Sequence, residues 1–245
     1  MVQELKSKVV IVGGGPAGCI CAYFLQNDFE VTVIEKNSPL KTLLPTGGGR
    51  CNLCHAEFDF KELAKNYPRG EKFLYSVFSK FSTSDTIEFF EKIGVETYVQ
   101  ENLRVFPKSN SAKDVREHFL NSLNKVKFMR ENALRVNILE NGFSVVTDMG
   151  AYKADYVVIS TGGHSTFDLI KMLGHKIVTP KPALVGLLTK EDFSSISGVV
   201  INDVLFTHRG ISGPKIYTIS SLRARDNFPY KLSFNFIDDI TAIFI

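Results

Sequence analysis

KVVIVGGGPAGCICAYFLQNDFEVTVIEK, residues 8–36, decides the fold. A β-branched run, Val9 to Val12, ends in Gly13-Gly14-Gly15-Pro16-Ala17-Gly18. A helical stretch then leads to a second β-branched run, Val31 to Ile34, closed by Glu35. Strand, glycine turn, helix, strand and terminal acid form the dinucleotide fingerprint of a βαβ unit. Gly13 permits the tight turn, Gly15 lets backbone approach a pyrophosphate, and Gly18 lets the helix lie close to the strand. The helix start, with Pro16 and Ala17, supplies free N–H groups and the positive dipole end. Glu35, followed by Lys36, is placed to accept from ribose hydroxyls. A free ribose suits FAD or NAD and disfavours the phosphorylated ribose of NADP.

Outward from this unit the chain reads as an ordinary globular protein. Its 245 residues are 44% hydrophobic, enough for a sizeable core. The formal charge of +3 is spread without a basic block, so nothing points to nucleic acid or membrane partners. The polar first eight residues and the short apolar run behind them fit neither a signal peptide nor a membrane span, and the expected compartment is cytoplasmic. In that compartment Cys19, Cys21, Cys51 and Cys54 stay reduced rather than forming a disulfide framework.

Beyond Lys36, residues 59–81 read as one or two short helices broken near Pro68-Arg69-Gly70. A further helix spans Asp85 to Ile93, with caps at Ser82 to Ser84 and a stop at Gly94, and Val95 to Val99 reads as a strand. Residues 109–126 place Val115, Phe119, Leu123 and Val126 on one helical face, with Ser111 to Asp114 in capping-box register. Residues 134–163 alternate about Asn141-Gly142, a hairpin signal. They end in an apolar strand, Tyr156 to Ile159, expected to be buried on both faces. Ser160-Thr161-Gly162-Gly163 follows as a second glycine turn facing a ligand. Pro180-Lys181-Pro182 marks a composition break, giving expected domains at 1–180 and 181–245. In the second, Ala183 to Leu188, Val199 to Phe206 and Lys231 to Ile237 are candidate strands, with a loop at Gly210 to Pro214.

GGGRCNLCH, residues 47–55, can be written as a haem attachment site, a redox dithiol, half a zinc site or a glycine loop. Haem attachment needs export. Zinc lacks a second ligand pair, so no metal is expected, and His118, His164, His175 and His208 read as surface or capping residues. The dithiol of Cys51 and Cys54 stays open, since flavin disulfide reductases place a cysteine pair in a comparable loop. The loop reading makes Arg50 and the glycines the important residues.

Taken together, VVIVGGGPAG, TGGGRCN (46–52), RVFP (104–107), SAKDV (111–115), VVISTGG (157–163), PALVGL (182–187) and LFTHRGISGP (205–214) resemble the BaiN/RdsA-like FAD-dependent oxidoreductases, also described as aminoacetone-oxidase-family FAD-binding proteins. The resemblance implies an α/β fold: a Rossmann-like FAD-binding domain of the two-dinucleotide-binding-domain flavoprotein type, followed by a partial β-rich inserted domain. It implies FAD as cofactor, with NAD(P)H as a transient electron donor and a small organic molecule as substrate. By position, Gly13, Gly15 and Gly18 would hold the pyrophosphate and Glu35 the ribose. Gly48, Gly49, Arg50, Cys51 and Asn52 would line the flavin side, and Thr161, Gly162 and Gly163 would lie along the cofactor. No proton donor is identified; His208, Cys51 and Cys54 are the catalytic candidates. Members of that family continue past this length, so the chain is expected to lack a C-terminal part. It would then self-associate, or need a complementing polypeptide, or act only as an FAD-binding fragment.

Overall fold

The computed structural model describes residues 6–67, 69–163, 167–201, 203–229, 231–234 and 243–244. His164 and much of the strand expected at Lys231 to Ile237 lie outside them. The chain divides into two compact units, one of residues 1–63 and 75–178, the other of residues 64–74 and 179–245.

In the first unit β1 (Lys8–Val12) enters the glycine turn, α1 (Pro16–Leu25) opens with proline at its first turn, and β2 (Glu30–Ile34) returns beside β1. A short β3 (Cys54–His55) follows, then α2 (Phe60–Lys65) and α3 (Glu71–Phe78), each divided between the two units at residues 63/64 and 74/75, and then α4 (Thr83–Lys92) of the first. The Asp85 carboxylate accepts the Ser82 N–H at 2.7 Å, closing the start of α4. That bond, with one from the Ser82 hydroxyl, holds the Asp85 carboxyl below its usual range. Then come β4 (Thr97–Val99) and β5 (Arg104–Pro107), which form an antiparallel sheet in the order β3-β5-β4. Next is α5 (Ala112–Ser122), whose Ser111 hydroxyl accepts the Asp114 N–H. It is shorter than residues 109–126: the cap sets its start, and the chain leaves helical geometry at Leu123, although Val126 still packs on the core.

The unit continues through β6 (Lys127–Met129), β7 (Ala133–Ile138), β8 (Phe143–Thr147), β9 (Ala151–Ala154), β10 (Tyr156–Ile159) and α6 (Asp168–Met172). Strands β10-β1-β2-β6, all parallel, form the central sheet, with Val10 level with both Thr32 and Val157. Alternation along β1 splits the core between two faces. Val9 and Ile11 join Val31, Val33, Cys19, Ala22, Phe89 and Phe119 on the helical side. Val10, Val12 and Ile34 meet Val136, Val145 and Ala154 of the β7-β8-β9 meander on the other. Each such aliphatic side chain contributes about 1.5–3 kcal/mol of burial. Edge-on contacts of Phe89 with Tyr23 and Phe119, at 4.9 and 5.1 Å between centroids, tie α4 to α1 and α5.

Two expectations change here. The hairpin about Asn141-Gly142 gains a third strand, β9. The apolar β10 is not buried on both faces: it lies at the sheet edge, and Tyr156 is 56% exposed.

The second unit holds β11 (Leu187–Leu188), β12 (Val200–Ile201), β13 (Val204–Thr207), β14 (Gly210–Ser212) and α7 (Pro214–Leu222). Its antiparallel sheet runs β11-β14-β13-β12 around Val204, Phe206, Ile211, Ile216 and Ile219. The strand expected over 183–188 shrinks to its last two residues, and the one over 199–206 is a hairpin turning at Asp203. The expected loop 210–214 is instead β14 and the start of α7, because Pro214 has the fixed φ that suits a first helical position.

Candidate cofactor site

The glycine turn sits at the carboxyl edge of the parallel sheet. The single Ser160 hydroxyl proton is shared between Gly13 O at 2.9 Å and Val12 O at 3.1 Å, so the turn after β10 is fastened to the turn after β1. At Gly18 a Cβ would lie 2.0 Å from Gly13 O and 2.6 Å from Ser160 Oγ, and at Gly13 it would lie 2.4 Å from Ser160 O. Only glycine fits either place. No side chain caps α1, so its first-turn N–H groups keep the positive dipole end open to an anion. Pro16 and Ala17 are exposed there.

Glu35, at the end of β2, accepts the Gly14 N–H through Oε2 and the Asn37 N–H through Oε1, both at 2.7 Å. Each oxygen keeps a second lone pair for a ribose hydroxyl. The segment behind it is pinned from two sides. Leu40 N donates to Gly14 O at 2.8 Å, and Arg116 of α5 donates to Pro39 O at 2.9 Å and to Ser38 Oγ at 2.5 Å. Lys36 is exposed beside it.

The second glycine loop, Thr46 to Asn52, takes left-handed backbone at Gly47, Gly48, Gly49 and Cys51. The Arg50 guanidinium lies over the Phe106 ring, 4.3 Å from its centroid, and its Nε donates to Gly47 O at 3.3 Å. The Asn52 amide is oriented to donate to Val105 O and Cys54 O. Gly48 and Gly49 therefore present bare backbone, and nothing lies within 4 Å of a Cβ built on Gly48. Thr161, Gly162 and Gly163 continue from Ser160, the two glycines exposed.

The Cys51 side chain turns into the core. Cys51 is 2% exposed and packs with Val95, Ala112 and Val115. Burial pushes the Cys51 thiol up and the Cys54 thiol up to about 11. Both are free thiols whose environment disfavours the thiolate, the opposite of a poised redox pair. His208 is exposed at the β13–β14 turn in the second unit. Among the described residues no cluster of His, Cys, Asp and Glu could hold a metal ion, and no helix is long and apolar enough to cross a membrane. Gly14, Leu40, Gly47, Phe106, Arg116 and Ser160 complete the site and were not singled out by the fingerprint.

Comparison with protein families gives a match to the HI0933-like protein Rossmann domain over residues 7–199. The chain belongs to the HI0933-like family. Its fold is a Rossmann-like FAD-binding domain, and the cradle, the unclaimed helix start and Glu35 fit FAD. This HI0933-like chain is 29% identical, over 79% of its length, to the 3-dehydro-bile acid delta(4,6)-reductase of Clostridium scindens, covering 50% of that protein. It is 25% identical, over 94% of its length, to the ribosomal RNA dihydrouridine synthase of Escherichia coli, covering 64% of it. The chain thus spans half to two thirds of the length of these curated relatives. Among solved structures, L-proline dehydrogenase from P. horikoshii aligns over 73% of the chain and 59% of its own, at 19% identity and a TM-score of 0.45.

Proposed function

We propose that this HI0933-like chain works as an FAD-dependent oxidoreductase on a small organic substrate. The observation that carries the reading is the convergence of the Gly13–Gly18 turn, Glu35 and the Ser160–Gly163 turn at one edge of one parallel sheet. Gly13, Gly15, Pro16, Ala17 and Gly18 hold the pyrophosphate, and Glu35, with Lys36 beside it, holds the ribose. Gly48, Gly49, Arg50, Cys51 and Asn52 line the flavin side through backbone and the guanidinium charge, and Thr161, Gly162 and Gly163 lie along the cofactor. Bound FAD supplies the hydride chemistry, with NAD(P)H as transient donor; the chain supplies position and electrostatics. The names of both relatives denote saturation of a carbon–carbon double bond, and we take such a bond as the substrate class. Saturation also needs a proton; His208, the candidate the sequence offered, lies on the β13–β14 turn of the second unit. The thiols of buried Cys51 and half-buried Cys54 both favour the protonated form, which weighs against a dithiol relay.

The test is the visible spectrum of the purified chain, with chromatography of what heat releases. FAD at near one per chain supports the reading. A colourless protein that takes up no added FAD overturns it, and one that holds FAD but turns over no NAD(P)H retains only the binding role.

A further inference from the structure

The opposite, amino-terminal edge of the parallel sheet carries a cleft of about 210 Å³ between the sheet and β9, lined by Lys8, Glu30, Thr32, Lys127, Tyr152 and Lys153 among others. Lys8, Glu30 and Lys127 open β1, β2 and β6, and Lys153 comes from the meander. At about 3.3 Å per residue, Lys8 stands roughly 17 Å along β1 from Gly13, well clear of the cofactor cradle.

Three observations converge there. Thr32 is only 9% exposed, yet its hydroxyl has no hydrogen-bond partner among the described residues. A buried hydroxyl left unpaired is unfavourable, and the group calls for a partner from outside the chain. The ammonium groups of Lys8, Lys127 and Lys153 have no ion-pair partner among the described residues, and neither has the Glu30 carboxylate. Three lysines thus line the cleft with Glu30, while the Asp155 carboxylate accepts the Lys8 N–H at 2.7 Å and the Glu131 carboxylate lies behind Tyr152. The Tyr152 hydroxyl is already committed to Glu131 Oε1 at 2.6 Å and does not compete.

We propose that this cleft binds the phosphate group of a small phosphate ester. Three ammonium groups without an ion-pair partner among the described residues, together with the unpaired Thr32 hydroxyl, offer the donors a phosphate group takes. Lysines act as adjustable point charges that suit a tetrahedral group, whereas a planar carboxylate is better met by an arginine fork. Thr32 Oγ donates to a phosphate oxygen, and Glu30 accepts from a hydroxyl elsewhere on the ester. The cleft is too small for a drug-sized ligand but has room for a phosphate and a few further atoms.

The test titrates glycerol 3-phosphate, inorganic phosphate and a single-stranded RNA oligomer into the full chain saturated with FAD, read by calorimetry. A chain that takes up no FAD is titrated as purified, and the comparison of variants decides in the same way. Saturable binding of glycerol 3-phosphate at one per chain is expected, with inorganic phosphate weaker. Replacing both Lys127→Gln and Lys153→Gln should weaken it about a hundredfold, roughly tenfold per charged hydrogen bond. Thr32→Val should weaken it while the melting temperature without phosphate holds or rises, because the unpaired hydroxyl is gone. Equal binding by the double variant, binding of the RNA oligomer alone, or no binding of either small phosphate would overturn the proposal.

Discussion

At Gly18 an alanine methyl would sit 2.0 Å from the Gly13 carbonyl, and both neighbours are backbone or fixed by it, so relief requires moving α1 off β1. Gly18→Ala is therefore expected to cost about 2–4 kcal/mol, as overpacking does, and to lose FAD, seen as a lower melting temperature and a colourless protein. Gly48→Ala is the contrasting case. Its φ of +68 carries a left-handed penalty of about 1–2 kcal/mol, but the methyl meets nothing, so the fold survives and the FAD content of this variant tests the flavin-side role proposed for the loop. The thiols give a prediction of a different kind. Burial raises Cys54 to about 11 against an ordinary value of 9.0. The folded chain thus keeps a proton that the unfolded chain releases first. The stability this contributes is whole below pH 9 and drains away as pH climbs toward 11. Denaturant midpoints measured from pH 8 to 11 should fall, and Cys54→Ala should fall less steeply.

Among the elements, α5 has two tasks: its apolar face carries Val115 and Phe119 into the core, while Arg116 reaches back to hold Pro39 and Ser38 behind Glu35. Arg116→Ala leaves the apolar face intact and removes two bonds from the loop, so it should cost about 1–3 kcal/mol and raise the FAD dissociation constant several-fold. Flavin fluorescence titration reads the second effect. Arg116→Lys should recover little, since one ammonium cannot span both acceptors in the fork geometry. The apolar face was legible in the sequence because a period of 3.6 shows in the letters, and the glycine fingerprint was legible because strand, turn and helix are contiguous there. Arg116 was not, because its partners lie more than seventy residues upstream and no local pattern marks an arginine that reaches them. The same holds for Ser160, read as part of a turn and found to be the clasp between two turns. The short strands of the second unit were blurred for another reason: two-residue strands such as β11 and β12 have no period to detect. The β10 error came from taking an apolar run as proof of two-sided burial, when an edge position leaves Tyr156 half exposed.

For the molecule as a whole, the two units differ in how they are built, and that difference should appear in their dynamics. The first has a parallel sheet covered on both faces, with Ile11 and Val33 fully buried at its centre. The second has a four-stranded sheet with two-residue edge strands, on which Leu188 is 77% and Val200 62% exposed. Amide protection follows buried contact and strand pairing, so hydrogen exchange should be slowest in β1 and β2 and much faster in β11 and β12. Adding FAD tests the cofactor assignment in the same experiment, because a ligand that binds only the folded state slows exchange wherever opening would release it. Protection should grow at the β1–α1 turn, at Glu35 to Leu40 and at Thr161 to Gly163. The loop Thr46 to Asn52 should follow, since its exposed glycines gain a surface to lie against. The amino-terminal edge at Lys8, Glu30 and Lys127 should respond to phosphate esters and not to FAD beyond any global stabilisation. If FAD instead slowed β11 to β14 while leaving the glycine cradle unchanged, the cofactor would have to be placed in the second unit, and the roles given to Gly13, Gly18 and Glu35 would fall together.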